Sequence, residues 1–122
     1  MNQVERRKKQ MAYIADQECG EEMNACKRIL HELNTVDRTD GDAICKIVKR
    51  LFGKSDGAFV NPPFYCDYGK NIEVGKNFFA NYNCMIIDVA KVTIGENCMM
   101  APNVAIYTCL LYTSPSPRDA HE

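Results

Sequence analysis

The sequence predicts a mainly β protein with an N-terminal α segment, its β part a parallel β-helix built on hexapeptide repeats. Three observations carry this. First, residues 68–108 keep a period of six: Tyr68, Val74, Ala80, Ile86 and Val92 share one register, and after a two-residue slip Ile94, Met100 and Ile106 continue it. Second, an apolar or small residue stands four positions after each: Ile72, Phe78, Cys84 and Ala90, then Cys98 and Val104. Third, the residue just after the register position is often small, as at Gly69, Gly75, Gly95 and Ala101. A strand alternates with period two and a helix with period 3.6, so neither produces a strict six. A hexapeptide β-helix does, because each hexad supplies one short strand and one corner of a prism. The aliphatic residue fills the interior and the small residue lets the chain turn. A meander with chance spacing would have to reproduce the pattern over about seven hexads.

The N-terminal elements follow in order. Residues 4–15 fit a first helix, and the basic run Arg6-Arg7-Lys8-Lys9 reads as a solvated face because Glu5, Asp16 and Glu18 bracket it. A second helix is expected over about 21–33, where Met23, Cys26, Ile29, Leu30 and Leu33 form one apolar stripe. Thr39-Asp40-Gly41-Asp42 opens a third, with Thr39 as N-cap; Ile44, Ile47, Val48, Leu51 and Phe52 form its buried stripe and Gly53 stops it. Helices this short are not stable alone in water, so about three helices are expected to pack on the β-helix or on a neighbouring subunit. Residues 54–61 read as a connector turning at Gly57, with Phe59-Val60 as a short strand. Pro62-Pro63 then stiffens the approach to the repeats. The expected divisions are 1–58 (helical segment), 59–109 (start of the β-helix) and 110–122 (tail).

Composition narrows the function classes. The chain has 122 residues, enough for one domain, and 46% hydrophobic residues, enough for a core. A net charge of −1 gives no electrostatic reason to expect nucleic acid or a membrane surface. No apolar run approaches the ~20 residues of a membrane span, and the charged N-terminus is not a secretory leader. The seven cysteines lack any C-x-x-C pair and read as reduced thiols of a cytoplasmic protein.

The run PPFYCDYGKNIEVGKNFFANYNCMIIDVAKVTIGENCMMAPNVAIYT resembles the maltose and galactoside O-acetyltransferases, a branch of the hexapeptide-repeat acyltransferases. So do the M-A-Y-x-x-D run ending at Asp16 and the H-E-L-N run from His31 to Asn34. The resemblance covers roughly residues 5–108 and is carried by PPF-x-C-D-Y-G-x-N-I and A-N-x-N-C-x-x-x-D. It implies a left-handed winding, against the usual right-handed crossover. It also implies a homotrimer with active sites between neighbouring prisms, and transfer of acetyl from acetyl-CoA to a sugar hydroxyl. Such a reaction needs a base for the hydroxyl proton, polar groups that aim the hydroxyl at the thioester, and a donor for the oxyanion.

By the same resemblance, Asp67 occupies a position that bonds a sugar hydroxyl. Asn81 occupies one that contacts substrate and orients the base, and Asp16 one whose carboxylate reaches the acceptor site. Asp88 stands beside the acidic acceptor position, which itself falls on Val89. Phe79 replaces a frequent Tyr, removing a hydroxyl. Structural readings stand beside these: Asp67 as a turn cap before Gly69, Asp16 as a helix-end residue, Asn81 and above all Asn83 as left-handed corner residues, Phe78 and Phe79 as packing, His31 as a surface or structural histidine.

The main departure comes after Thr108. The family pattern places a catalytic T-x-x-H-P histidine at about position 111, where this sequence has Leu111. The run CLLYTSPSPRDAHE breaks the hexad and resembles translated vector read-through, so it is excluded from the fold argument. His121, within it, has the wrong spacing for the base. The coils that supply most CoA contacts in the family would lie beyond this point. The expectation is therefore an acetyl-CoA-dependent sugar O-acetyltransferase whose present chain is inactive. A non-catalytic trimeric scaffold or binding module is the alternative. A zinc enzyme of the γ-carbonic anhydrase kind is disfavoured because residues 68–108 contain no histidine.

Overall fold

Nine short strands form three three-stranded parallel sheets, ordered β1-β4-β7, β2-β5-β8 and β3-β6-β9. The computed structural model describes the backbone of residues 3–108 and side chains from residue 16 onward. The strands are β1 (Lys54–Asp56), β2 (Phe59–Val60), β3 (Phe64–Cys66), β4 (Ile72–Lys76), β5 (Phe79–Ala80), β6 (Cys84–Ile87), β7 (Val92–Ile94), β8 (Met99–Met100) and β9 (Ala105–Tyr107). Consecutive strands lie in different sheets and every third strand returns to the same one, which is the connectivity of a three-sided parallel β-helix.

Register fixes the coil length. Ile72 pairs with Val92, Phe79 with Met99 and Ile86 with Ile106, so successive coils are 20 residues apart. That is two more than three hexads. The surplus lies at one corner, around residues 67–71 in the first coil and 87–91 in the second, just ahead of the slip that the sequence shows between Val92 and Ile94. The other two corners turn on single residues with positive φ. Gly57 (71°), Asn77 (61°) and Asn97 (58°) stack at one; Asn83 (60°) and Asn103 (63°) stack above the cis Pro62-Pro63 bond at the other. Asn reaches this region because its short polar side chain bonds locally. The Asn77 amide donates to Asn97 Oδ1 at 3.1 Å, tying one coil to the next. Asn83 is thus a corner residue, as expected.

Alternate strand residues point inward. Phe64, Ile72, Phe78, Ala80, Cys84 and Ile86 fill the prism at 0–1% exposure. Phe52, at the end of the second helix, meets Phe64 and Phe78 edge-on at 5.6 and 6.0 Å and closes the N-terminal end of the prism. Phe59 and Phe79 stack in parallel on the second sheet, 6.2 Å apart, which is a packing role. His31 is exposed.

Three expectations are corrected. Two helices precede the prism, not three: α1 (Gln3–Thr35) runs through the predicted break and α2 is Gly41–Leu51. A single Gly20 costs a helix only about 1 kcal/mol, and a Cβ there would meet nothing within 4 Å, so no turn forces the chain out. The stripe Cys26, Leu30 and Leu33 anchors the continuous helix. The N-cap of α2 is Asp40, whose side chain accepts from Ala43 N; the Thr39 hydroxyl is occupied by Asp37 Oδ1 at 2.7 Å. Those bonds to Thr39 also hold the Asp37 carboxyl below its ordinary range. Finally, Lys54–Asp56 is the first strand of the prism rather than a connector. Gly53 stops α2 as expected, and a Cβ there would overlap the Lys70 carbonyl.

Helix α1 docks through Asn34. Its amide donates to Phe64 O at 3.0 Å and its Oδ1 accepts from Phe64 N at 2.9 Å, so one side chain satisfies both backbone groups of a β3 residue.

Candidate active site

The surplus corner is built by three layers of chain. Asp67 and Tyr68 leave β3 with backbone N–H groups that lie beyond its ladder with β6. Both donate to Asp88 Oδ1 in the coil above, each at 2.9 Å. Asn71 reaches up to the Asp88 carbonyl at 2.8 Å. From the third layer Thr108 closes the stack: its hydroxyl donates to Ile87 O and accepts from Ala90 N at 3.0 Å. Asp88 is wholly buried, and its Oδ2 has no hydrogen-bond partner among the described residues.

The candidate residues distribute as follows. Asp67 is half-exposed at this corner, its backbone fixed by Asp88. Asp88 faces inward, so it acts on the corner's backbone rather than presenting its carboxyl to solvent. Asn81 is half-buried between β5 and β6, where its Oδ1 accepts from Tyr82 N at 2.9 Å and from Asn61 Nδ2 at 3.4 Å. It is not among the positive-φ residues, so it is not a corner residue of the Asn83 kind. Six residues separate it from Asp88, four of them in β6, whose strand alone spans about 13 Å at 3.3 Å per residue. Within one chain Asp67 and Asp88 therefore come together, while Asn81 stands at a different edge of the prism. Asp16 is exposed on α1. Leu111 and His121 lie outside the described residues.

Sequence reasoning missed Asn34, Asn71 and Thr108 as builders of this region. The missing signal was the 20-residue coil, which places residues 67–68, 87–88 and 107–108 in one stack. Among the described residues no group of three His, Cys, Asp or Glu side chains could hold a metal ion, and no helix is long and apolar enough to cross a membrane.

A three-sided parallel β-helix, capped by a helical pair and carrying polar residues at one widened corner, is the architecture of the hexapeptide-repeat acyltransferases. Comparison with known proteins identifies the branch. A maltose O-acetyltransferase from Clostridium difficile 630 superposes with a TM-score of 0.75 at 38% identity, covering 85% of this chain and 55% of that one. A galactoside acetyltransferase in complex with coenzyme A gives a TM-score of 0.69 at 36% identity, over 71% of this chain and 44% of that one. The galactoside O-acetyltransferase of Escherichia coli is 38% identical over 81 residues, 66% of this chain and 40% of that protein. No family model matches the chain. Over the part it spans, the chain is similar to the maltose and galactoside O-acetyltransferases, and it has the left-handed parallel β-helix fold of its hexapeptide-repeat neighbours. It spans between 28% and 55% of the length of the curated relatives compared with it.

Proposed function

We propose that the protein these residues come from is an acetyl-CoA-dependent sugar O-acetyltransferase. It would act in the cytoplasm as a homotrimer on maltose, glucose or a β-galactoside. The observation that carries this reading is the widened corner, where Asp88 spends a fully buried carboxyl on fixing the backbone beside Asp67. A scaffold does not need that expenditure; a residue that must aim a sugar hydroxyl does. Asp67, Asn81 and Asp16 are the acceptor-facing groups, and Asn81 also orients the base. Because Asn81 and Asp67 stand at different edges of one prism, a site between neighbouring prisms is the arrangement that joins them. The outer faces support such neighbours. Phe59, Phe79 and Met99 align on one sheet, with Met99 79% exposed, and Tyr65 and Tyr107 lie exposed on the next.

In the reaction, Asp67 and Asp16 would hold the sugar so that one hydroxyl faces the thioester carbon. A histidine base would take the hydroxyl proton as oxygen attacks, and CoA would leave as the thiol. Leu111 cannot take a proton, and losing a general base alone costs about 10²–10⁴ in rate. The 122-residue chain is therefore expected to be inactive.

The test pairs an independent read of the gene beyond codon 108 with a CoA-release assay on maltose, glucose and galactosides. A continuation into a T-x-x-H-P loop, with sugar-dependent release that Asp67→Ala weakens through KM, supports the reading. Normal turnover by the 122-residue chain would refute the role given to the histidine. A full-length product that binds neither acetyl-CoA nor sugar would favour the scaffold instead.

A further inference from the structure

Helix α1 and strand β3 meet at two thiols. Cys26 and Cys66 are 40 residues apart in sequence, 2% and 8% exposed, and their Sγ atoms lie 3.5 Å apart. A disulfide needs about 2.05 Å, so closure requires an approach of about 1.5 Å. Among the described residues no other pair of cysteines is in hydrogen-bond contact. Cys84 lies inside the prism with its thiol directed at Met100 Sδ, and Cys19 and Cys45 are exposed.

A buried thiol pair reacts only if something reaches it. A cavity of about 90 Å³ opens between α1 and the widened corner, lined by Glu22, Ala25, Cys26, Ile29, Tyr68 and Asn71. A water needs roughly 10–15 Å³ measured in this way, so there is room for a molecule of a few heavy atoms beside Cys26. Cys66 does not line the cavity. The pair is thus asymmetric: one thiol faces an accessible space and the other stands behind it.

We infer that Cys26 and Cys66 form an oxidisable dithiol site that takes a small hydroperoxide through this cavity and closes into a disulfide tying α1 to β3. The Cys26 thiolate attacks one peroxide oxygen and breaks the O–O bond, leaving a sulfenic acid on Cys26 and, after protonation, one water from hydrogen peroxide. Cys66 then loses its proton and attacks the sulfenic sulfur, forming the S–S bond and expelling the second water. Two thiols lose two electrons in all and the peroxide gains them. Either thiol can donate across this contact; with Cys66 donating, the bond holds Cys26 below its ordinary pKa, with Lys27 assisting and burial, Asp88 and Asp67 opposing. The same bond, with burial, holds the proton on Cys66. These directions match an attacking Cys26 and a resolving Cys66. Because Asp67 follows Cys66 directly, the closed form would fix α1 against the strand that leads to the corner.

The experiment uses the full chain with Cys19→Ser and Cys45→Ser, which removes the exposed thiols. It is treated with hydrogen peroxide, blocked with iodoacetamide, cut with trypsin and weighed. The expected product joins peptide 10–27 to peptide 55–70 at about 2 Da below their summed mass, and dithiothreitol reverses it. With Cys66→Ser added, dimedone should trap a sulfenic acid on Cys26 instead. Peroxide added in urea strong enough to unfold the chain should cut the yield at least about tenfold, since the fold holds the pair together. Recovery of both residues as alkylated thiols, over-oxidation of Cys26 without linkage, or equal yield in urea would each overturn the inference. The native-background linkage is decisive even if the Cys66 variant fails to fold.

Discussion

Replacing Asp88 by alanine isolates what holds the widened corner. In the native chain Asp88 Oδ1 accepts from Asp67 N and Tyr68 N, both at 2.9 Å. Alanine offers neither bond, and space for a well-placed water is limited because Asp88 is fully buried. Leaving a buried donor unsatisfied costs about 1–3 kcal/mol. Both bonds are only part-buried, so the lower half of that range applies, about 2–4 kcal/mol for the pair. Some relief comes from removing Oδ2, which has no partner among the described residues. A net loss of about 2 kcal/mol lowers the melting temperature by about 8 °C in a chain of this length. Asp88→Asn is the control: its amide oxygen accepts both N–H groups, so the variant should stay within about 1 kcal/mol of the parent. Urea and thermal melts followed by circular dichroism on the 122-residue chain measure both. An alanine variant melting within 2–3 °C of the parent (about 0.5 kcal/mol,) would refute the view that these bonds hold the corner. So would an asparagine variant as unstable as the alanine one, which would shift the weight to charge.

Two further outcomes follow from the prism itself. Asn83 sits at φ 60°, so Asn83→Ala should cost about 1–2 kcal/mol while Asn83→Gly costs only a few tenths; equal urea midpoints for the two would remove the strain argument. Burial pushes the Cys84 thiol up to about 11 from an ordinary 9.0, so the unfolded chain ionises there first. Stability from this group is intact below pH 9 and declines as pH rises towards 11. Urea titrations at pH 8, 9 and 10 should show that decline, and Cys84→Ala should flatten it; an unchanged slope refutes the assignment.

The fold was legible where chemistry repeats and obscure where it does not. The six-residue period places Ile72, Val74, Ala80, Cys84 and Ile86 correctly in the interior, because only aliphatic or small residues fit inside a narrow prism. The break expected between two helices was misplaced, since a lone Gly20 weakens a helix without ending it. Thr39 was a reasonable cap by residue type, but Asp37 claimed its hydroxyl, a contest between two local bonds that composition does not decide. At the site, the resemblance named Asp67 and Asn81 without showing that they occupy different edges. The partnership of Cys26 with Cys66 joins a helix face to a strand and follows from docking alone, through Asn34 on Phe64. No local pattern encodes such a contact.

The period and its interruption divide the labour of the chain. Strict hexads build matching corners at Asn77 and Asn97, and at Asn83 and Asn103, each turning on one residue with positive φ. Two extra residues per coil break that economy at the third corner. They free the N–H groups of Asp67 and Tyr68, and a buried carboxyl must be spent to capture them. This is the one place in the described prism where the chain departs from the most economical path, and the sugar-handling candidate stands there. The corner recurs every 20 residues, so its third instance begins at about residue 107, where Thr108 already bonds to the layer below. Position 111, four residues past Tyr107, corresponds by that spacing to Lys91 and Asn71. In a relative that keeps the 20-residue spacing, the expected base position would align with the corner that fixes Asp67. A histidine there would emerge from a segment already released from the hexad, which gives a physical reason for the family's base to lie where the repeat is broken.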